Sequence, residues 1–144
     1  MTKFKTILVP LDGSGPAEKA LDCVRALATA FQSRLILFHA LELRLEAGFL
    51  SNHPLPTHIY DEQDKRCRDY MNDQTAQLES EGLNVSQELQ EGLPAESILG
   101  RANQGDVDVI VMASHGRTGL GRFLVGSVAE RVVRHARCPV LVVR

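Results

Sequence analysis

Three stretches of the chain are apolar almost without interruption, and helical periodicity fills the ground between them. The stretches are Thr6-Ile7-Leu8-Val9-Pro10-Leu11, Arg34 to Ala40 (RLILFHA) and Asp108 to Ala113. Such continuous runs are the mark of strands covered on both faces, as in a parallel sheet. After the first run, Asp12-Gly13-Ser14-Gly15-Pro16 reads as a turn into a helix, with Pro16 near the first helical position. Ala17, Ala20, Leu21, Val24, Leu27, Ala28 and Phe31 recur at spacings of three and four, which places them on one face of that helix.

Downstream, Leu41 to Thr57 is interrupted by Gly48, Asn52, Pro54 and Pro56. It is long for a connection in a compact domain and reads as a functional or mobile loop. Ile59 to Glu81 is a charged helix with Cys67, Tyr70, Met71 and Leu78 on its apolar side, and Gly82 closes it. Asn84 to Leu89 alternates weakly, as expected of a short strand nearer an edge. A helix starts near Pro94 with Ile98, Leu99 and Ala102 facing inward; Val128 to Ala136 is the last helix and Val140 to Val143 the last strand. Five strands alternating with four helices predict an α/β fold: a single domain, residues 1–144, built on an open parallel sheet with helices on both faces. Ligands of such sheets sit beyond the carboxyl ends of the strands, where the strand order reverses. Asp12 and Ser14 follow the first strand, and Ser114 to Ser127 follows the fourth.

Composition narrows the function classes. A formal net charge of −2 gives no basic footprint for a nucleic acid. No apolar run approaches the roughly 18 residues that a membrane span needs, and the start of the chain shows no secretory signal. The three cysteines, Cys23, Cys67 and Cys138, are odd in number and lack a C-x-x-C pair, which suits reduced thiols in the cytoplasm. Cys138 reads as a small buried hydrophobe. The histidines His39, His53, His58, His115 and His135 have no ligand-like spacing with the cysteines. Asp106 and Asp108 read as turn residues. Arg131, Arg134 and Arg137 form the solvated face of a packed helix.

The candidate chemistry lies in VIVMASHGRTGLGRFLVGSV, Val109 to Val128. A strand, a glycine-rich loop and a helix start follow one another, and a helix N-terminus with unpaired N–H groups attracts anions. Ser127-Val128-Ala129-Glu130 has the spacing of a capping box. The Ser127 hydroxyl thus has two competing roles, helix cap or phosphate ligand. The G-x-x-x-x-G-K-[ST] loop is absent, and Gly116, Gly119 and Gly121 do not form the dinucleotide fingerprint. Arg117 could meet phosphate charge, whereas Arg122 reads as surface charge. His115 is either a phosphate donor or a structural hydrogen-bonder. Asp12 is either an Asx-turn or helix-cap residue, or a functional carboxylate that accepts from a ribose hydroxyl or an adenine amino group or helps hold a metal.

Several segments together carry a family resemblance: ILVPLDGS near the start, LILFHA, GLPAESIL from Gly92, and MASHGRTGLGRFLVGSVAERVVRHARCPVLVV. The chain resembles the universal stress proteins of the UspA type over essentially all its residues. The family's ATP-binding members carry G-x2-G-x9-G-[ST]. Here Gly116 is followed by nine residues and then Gly126-Ser127, while Ala113 stands where the first glycine is expected. Alanine adds a methyl and restricts positive φ: it is tolerated if the position is an ordinary strand end, and weakens binding if the position needs φ > 0 or touches the ligand directly.

The resemblance implies a Rossmann-like sheet of strand order 3-2-1-4-5. It implies an ATP or other adenine-nucleotide site, with Asp12 on the ribose and Pro10 and Leu11 beside the nucleoside. Ala40 and Met112 would line the adenine pocket. Ala113, His115, Gly116, Arg117, Gly126, Ser127 and Val128 would surround the phosphates, with Mg²⁺ or Mn²⁺ held through phosphate oxygens and water rather than by protein ligands. It further implies a homodimer formed through Val140–Val143. The expected function is a regulatory module of the stress response with slow or no hydrolysis and an unknown regulatory partner. The alternative is a dimeric interaction protein of the same family that binds no nucleotide.

Overall fold

The computed structural model describes residues 4–42, 57–115 and 125–144. The predicted loop from Leu41 to Thr57 falls almost wholly outside them. In chain order the elements are β1 (Thr6–Pro10), α1 (Gly15–Glu18), α2 (Ala20–Phe31), β2 (Arg34–Leu41) and α3 (Thr57–Ser80). They continue as β3 (Asn84–Glu91), α4 (Pro94–Ala102), β4 (Val109–Ala113), α5 (Ser127–His135) and β5 (Val140–Val143). All strand pairs are parallel and the order is β3-β2-β1-β4-β5. This is the expected 3-2-1-4-5 order.

Side-chain alternation sorts the core into two layers. Ile7, Val9, Leu35, Leu37, Val109 and Val111 pack with α1, α2 and α3 on one face. Leu8, Ile36, Phe38, Ile110 and Met112 pack with α4 and α5 on the other. Adjacent strand residues thus serve opposite layers, which is why β1, β2 and β4 are apolar apart from Thr6, Arg34 and His39. Phe38 is 1% exposed, and its truncation to alanine would cost about 3–5 kcal/mol.

The first helix and the third strand depart from the sequence reading. The predicted first helix is split at Lys19 into α1 and α2. Ser14 is the N-cap that opens the short first part, its hydroxyl accepting from the Ala17 N–H at 3.2 Å, and Lys19 closes that part with its N–H on the Pro16 carbonyl before the amphipathic helix proper begins. Strand β3 is eight residues rather than six and holds an edge of the sheet, pairing with β2 along its whole length. Gly82, after α3, has φ +84 and its N–H bonds the Glu79 carbonyl, the left-handed close that its position predicts.

Candidate functional site

The strand order reverses between β1 and β4. Beyond their carboxyl ends lies a cleft of about 280 Å³. Two turns and the edge of β2 shape it.

The first turn leaves β1. Pro10 is the last strand residue, and the Leu11 N–H still donates to the Phe38 carbonyl at 2.8 Å. Asp12 then folds into an Asx turn. Its Oδ1 accepts from the Ser14 N–H at 2.9 Å and from the Ser14 hydroxyl at 2.5 Å. Gly13 takes φ +81, which a side chain would resist. The turn reading of Asp12 is therefore correct, and the residue nonetheless lines the cleft.

The second turn leaves β4. Ala113 is the last residue of β4, in register with Val143, and its φ is not positive. It is an ordinary strand end, so the backbone here does not require glycine. The Ser114 N–H bonds the Val143 carbonyl at 2.8 Å, and the Ser114 carbonyl accepts from the Gly126 N–H at 2.7 Å. The Ser114 hydroxyl and His115 Nδ1 lie 2.8 Å apart.

Held in this way, Gly126 is extended (φ −62, ψ 156) and forms the N-cap of α5. This corrects the capping-box expectation. Ser127 is the first helical residue rather than the cap, so its hydroxyl cannot reach back to the N–H groups of the next turn. No described side chain caps α5, and its first internal bond runs from the Glu130 N–H to the Gly126 carbonyl at 2.9 Å. The N–H groups of Ser127, Val128 and Ala129 thus have no hydrogen-bond partner among the described residues. All three residues line the cleft. An unpaired helix N-terminus facing a cavity attracts negative charge.

Ala40 and Met112 form apolar wall between the two turns, with Pro94 and Ile98 of α4 opposite. Pro10, Leu11, Asp12, Ala40, Met112, Ala113, His115, Gly126, Ser127 and Val128 all border the same cleft. Gly116 and Arg117, along with Gly119, Gly121 and Arg122, lie outside the described residues. Sequence reasoning missed Phe38 and Glu42, which share the strand face of Ala40 at spacings of two. It also missed His39, whose burial beside Leu11 left no trace in the pattern. Among the described residues no group of three or more His, Cys, Asp or Glu side chains could hold a metal ion.

Behind the first turn, Tyr70 of α3 packs against the α1–α2 side of the core. Its hydroxyl oxygen is buried, with the Glu18 carboxylate nearby but no partner within hydrogen-bond geometry among the described residues. Burial, followed by the nearby carboxylates of Glu18 and Asp12, pushes its pKa well above the usual phenol value. Cys138 is half-buried against the α4–α5 layer, and burial pushes its thiol pKa up too, which fits a packing role.

The sequence profile of the universal stress protein family matches residues 3–144. Universal stress protein MJ0577 of Methanocaldococcus jannaschii is similar in sequence, at 32% identity over 98% of this chain and 95% of that protein. Its structure superposes with a TM-score of 0.84 at 33% identity, covering 98% of this chain and 96% of that one. UspA of Lactobacillus plantarum superposes with a TM-score of 0.86 at 26% identity, over the whole of both chains. The fold is also shared with a universal stress protein in complex with cAMP (TM-score 0.69, 22% identity, 99% of this chain and 98% of that one). It recurs in one from Archaeoglobus fulgidus in complex with dAMP (TM-score 0.70, 20% identity, 100% of both chains). Some structural neighbours thus bind adenine nucleotides. With its profile match spanning nearly every residue, this chain belongs to the universal stress protein family.

Proposed function

We propose that this chain is an adenine-nucleotide-binding regulatory module of the ATP-binding type, with slow or no hydrolysis. The observation that carries the reading is the N-terminus of α5: Ser127, Val128 and Ala129, whose N–H groups have no partner among the described residues, line the cleft that Asp12 borders from the other strand. Phosphate oxygens answer those N–H groups. The apolar wall of Ala40, Met112 and Ile98 suits a base, and the Asp12 carboxylate suits a ribose hydroxyl. The spacing from Gly116 to Gly126-Ser127 supports placing Gly116 and Arg117 at the phosphates as well. Ala113 does not weigh against the reading, since its backbone is that of a strand end. Mg²⁺ or Mn²⁺ would be held mostly by the phosphates and water.

Isothermal titration with MgATP tests this reading, with Asp12→Ala and Gly126→Val as controls. Binding weakened at least tenfold in both variants supports it. The absence of heat at millimolar nucleotide overturns it, as does equal binding in all three proteins. Mass spectrometry of material released by denaturing the fresh protein identifies which nucleotide is carried.

As part of the same reading, the protein is a single-domain homodimer joined through β5. It acts in the cytoplasm on a regulatory protein partner.

A further inference from the structure

We propose that His39 is a positioning residue for sugar recognition: its ring holds the Leu11 carbonyl and thereby sets the Asp12 carboxylate against the ribose. The proposal rests on the nucleotide reading above. The β1–β2 register ends at the pair Pro10 and Phe38. Beyond it the Leu11 N–H still reaches the Phe38 carbonyl at 2.8 Å, but no backbone N–H among the described residues answers the Leu11 carbonyl. The His39 ring does so instead, with Nδ1 at 2.6 Å from that oxygen. A carbonyl only accepts, so Nδ1 carries the proton and the tautomer is fixed.

The side chain thus extends the ladder by one step, at the point where the chain leaves the strand. Leu11 is 3% exposed and His39 5%, so this bond is shielded from water. Asp12 is then held from both sides. Its backbone follows directly from the clamped Leu11, and its Oδ1 is fixed by Ser14. A carboxylate discriminates between a hydroxyl and a hydrogen only if it stays within hydrogen-bond range, and a shift of about 1 Å is enough to lose that contact. His39 therefore acts on the ligand through Asp12. The group it should affect is the sugar hydroxyl rather than the base or the phosphates.

The test is the affinity ratio of MgATP to Mg-2′-dATP, measured by titration calorimetry in the parent and in His39→Leu, His39→Asn and Asp12→Asn, with melting temperatures to check folding. The parent should favour the ribonucleotide by about tenfold, the worth of one charged hydrogen bond. In His39→Leu the ratio should fall to within about twofold of one, as in Asp12→Asn. In His39→Asn, whose amide N–H can stand in for Nδ1–H, the ratio should stay near that of the parent.

A His39→Leu protein that weakens both nucleotides equally and keeps the ratio overturns the proposal, because the role is then structural only. A parent that binds both nucleotides alike also overturns it, while leaving nucleotide binding itself intact. A parent that binds neither refutes the nucleotide reading.

Discussion

Gly126 is tightly enclosed, and the reason is contact rather than backbone conformation. Its φ of −62 suits any residue, but a Cβ there would sit 3.0 Å from the Ser114 carbonyl oxygen and 3.7 Å from the His115 Cα. Both are backbone atoms, held by the bonds that close the β4 turn, so they yield poorly. Gly126→Ala should destabilise the fold by about 1–2 kcal/mol in urea unfolding and Gly126→Val by more. Gly100 gives the contrast. It lies in α4 with nothing within 4 Å of an added Cβ, so Gly100→Ala should stabilise by about 0.5–1 kcal/mol in the same assay. The sequence could not separate these two glycines, because the difference is the proximity of a carbonyl from another element. Tyr70 is a third case. Its hydroxyl is buried with no partner in hydrogen-bond geometry among the described residues, so Tyr70→Phe should leave stability unchanged or raise it by about 1 kcal/mol. A loss greater than about 0.5 kcal/mol would show that the hydroxyl bonds the neighbouring Glu18 carboxylate in solution.

At the scale of elements, the central strands β1, β2 and β4 were legible because burial on both faces strongly favours apolar residues. The helices were legible through their single apolar faces. What escaped were contacts between distant residues. Asp106 and Asp108 look like turn residues, yet each ties elements together. Asp108 accepts from the Thr6 N–H at 2.8 Å, anchoring the start of β1. Asp106 receives a two-pronged bond from Arg101 at 2.7 and 3.0 Å, while Arg101 Nε donates to Glu88 of β3 at 2.7 Å. Arg101 is 8% exposed at the end of α4. One guanidinium therefore joins α4, the edge strand β3 and the loop before β4.

The hydrogen bonds from Arg101 hold the Asp106 carboxyl below its usual pKa. A carboxylate depressed in the folded chain adds stability above its unfolded pKa, near 3.8, and that stability is lost as the pH falls through the lower folded value. Asp106→Asn should therefore lower stability at pH 7 by about 1 kcal/mol, discounted because the carboxylate is partly exposed. Denaturant melts repeated at falling pH should show the gap to the parent closing below the ordinary carboxylate range. A gap that persists unchanged in acid would mean that charge plays no part.

The two edges of the sheet differ in kind, and this bears on where a second copy would dock in the proposed homodimer. At one end β3 is polar, with Asn84, Ser86, Gln87, Glu88, Gln90 and Glu91 along it. At the other end β5 is Val140-Leu141-Val142-Val143, with Leu141 38% exposed. An apolar strand with an unpaired ladder is a template for pairing. The backbone groups that would form the pairing can be identified. The Pro139 and Val143 carbonyls accept from the Ile110 and Ser114 N–H groups of the β4 side. Since strand residues alternate, Leu141 also faces β4, and the N–H and C=O groups of Val140 and Val142 point away from the sheet. Val142→Pro therefore removes one outward donor while sparing the β4–β5 ladder, the one kind of strand position where proline is tolerated. If β5 joins the dimer, sedimentation should give the parent at twice its 15.9 kDa mass and Val142→Pro at the monomer mass, still folded by circular dichroism. A parent that sediments as a monomer at about 100 μM would remove β5 pairing from the reading. A Val142→Pro protein that remains dimeric would move the interface elsewhere, with the exposed Val133 of α5 as the next apolar surface to test.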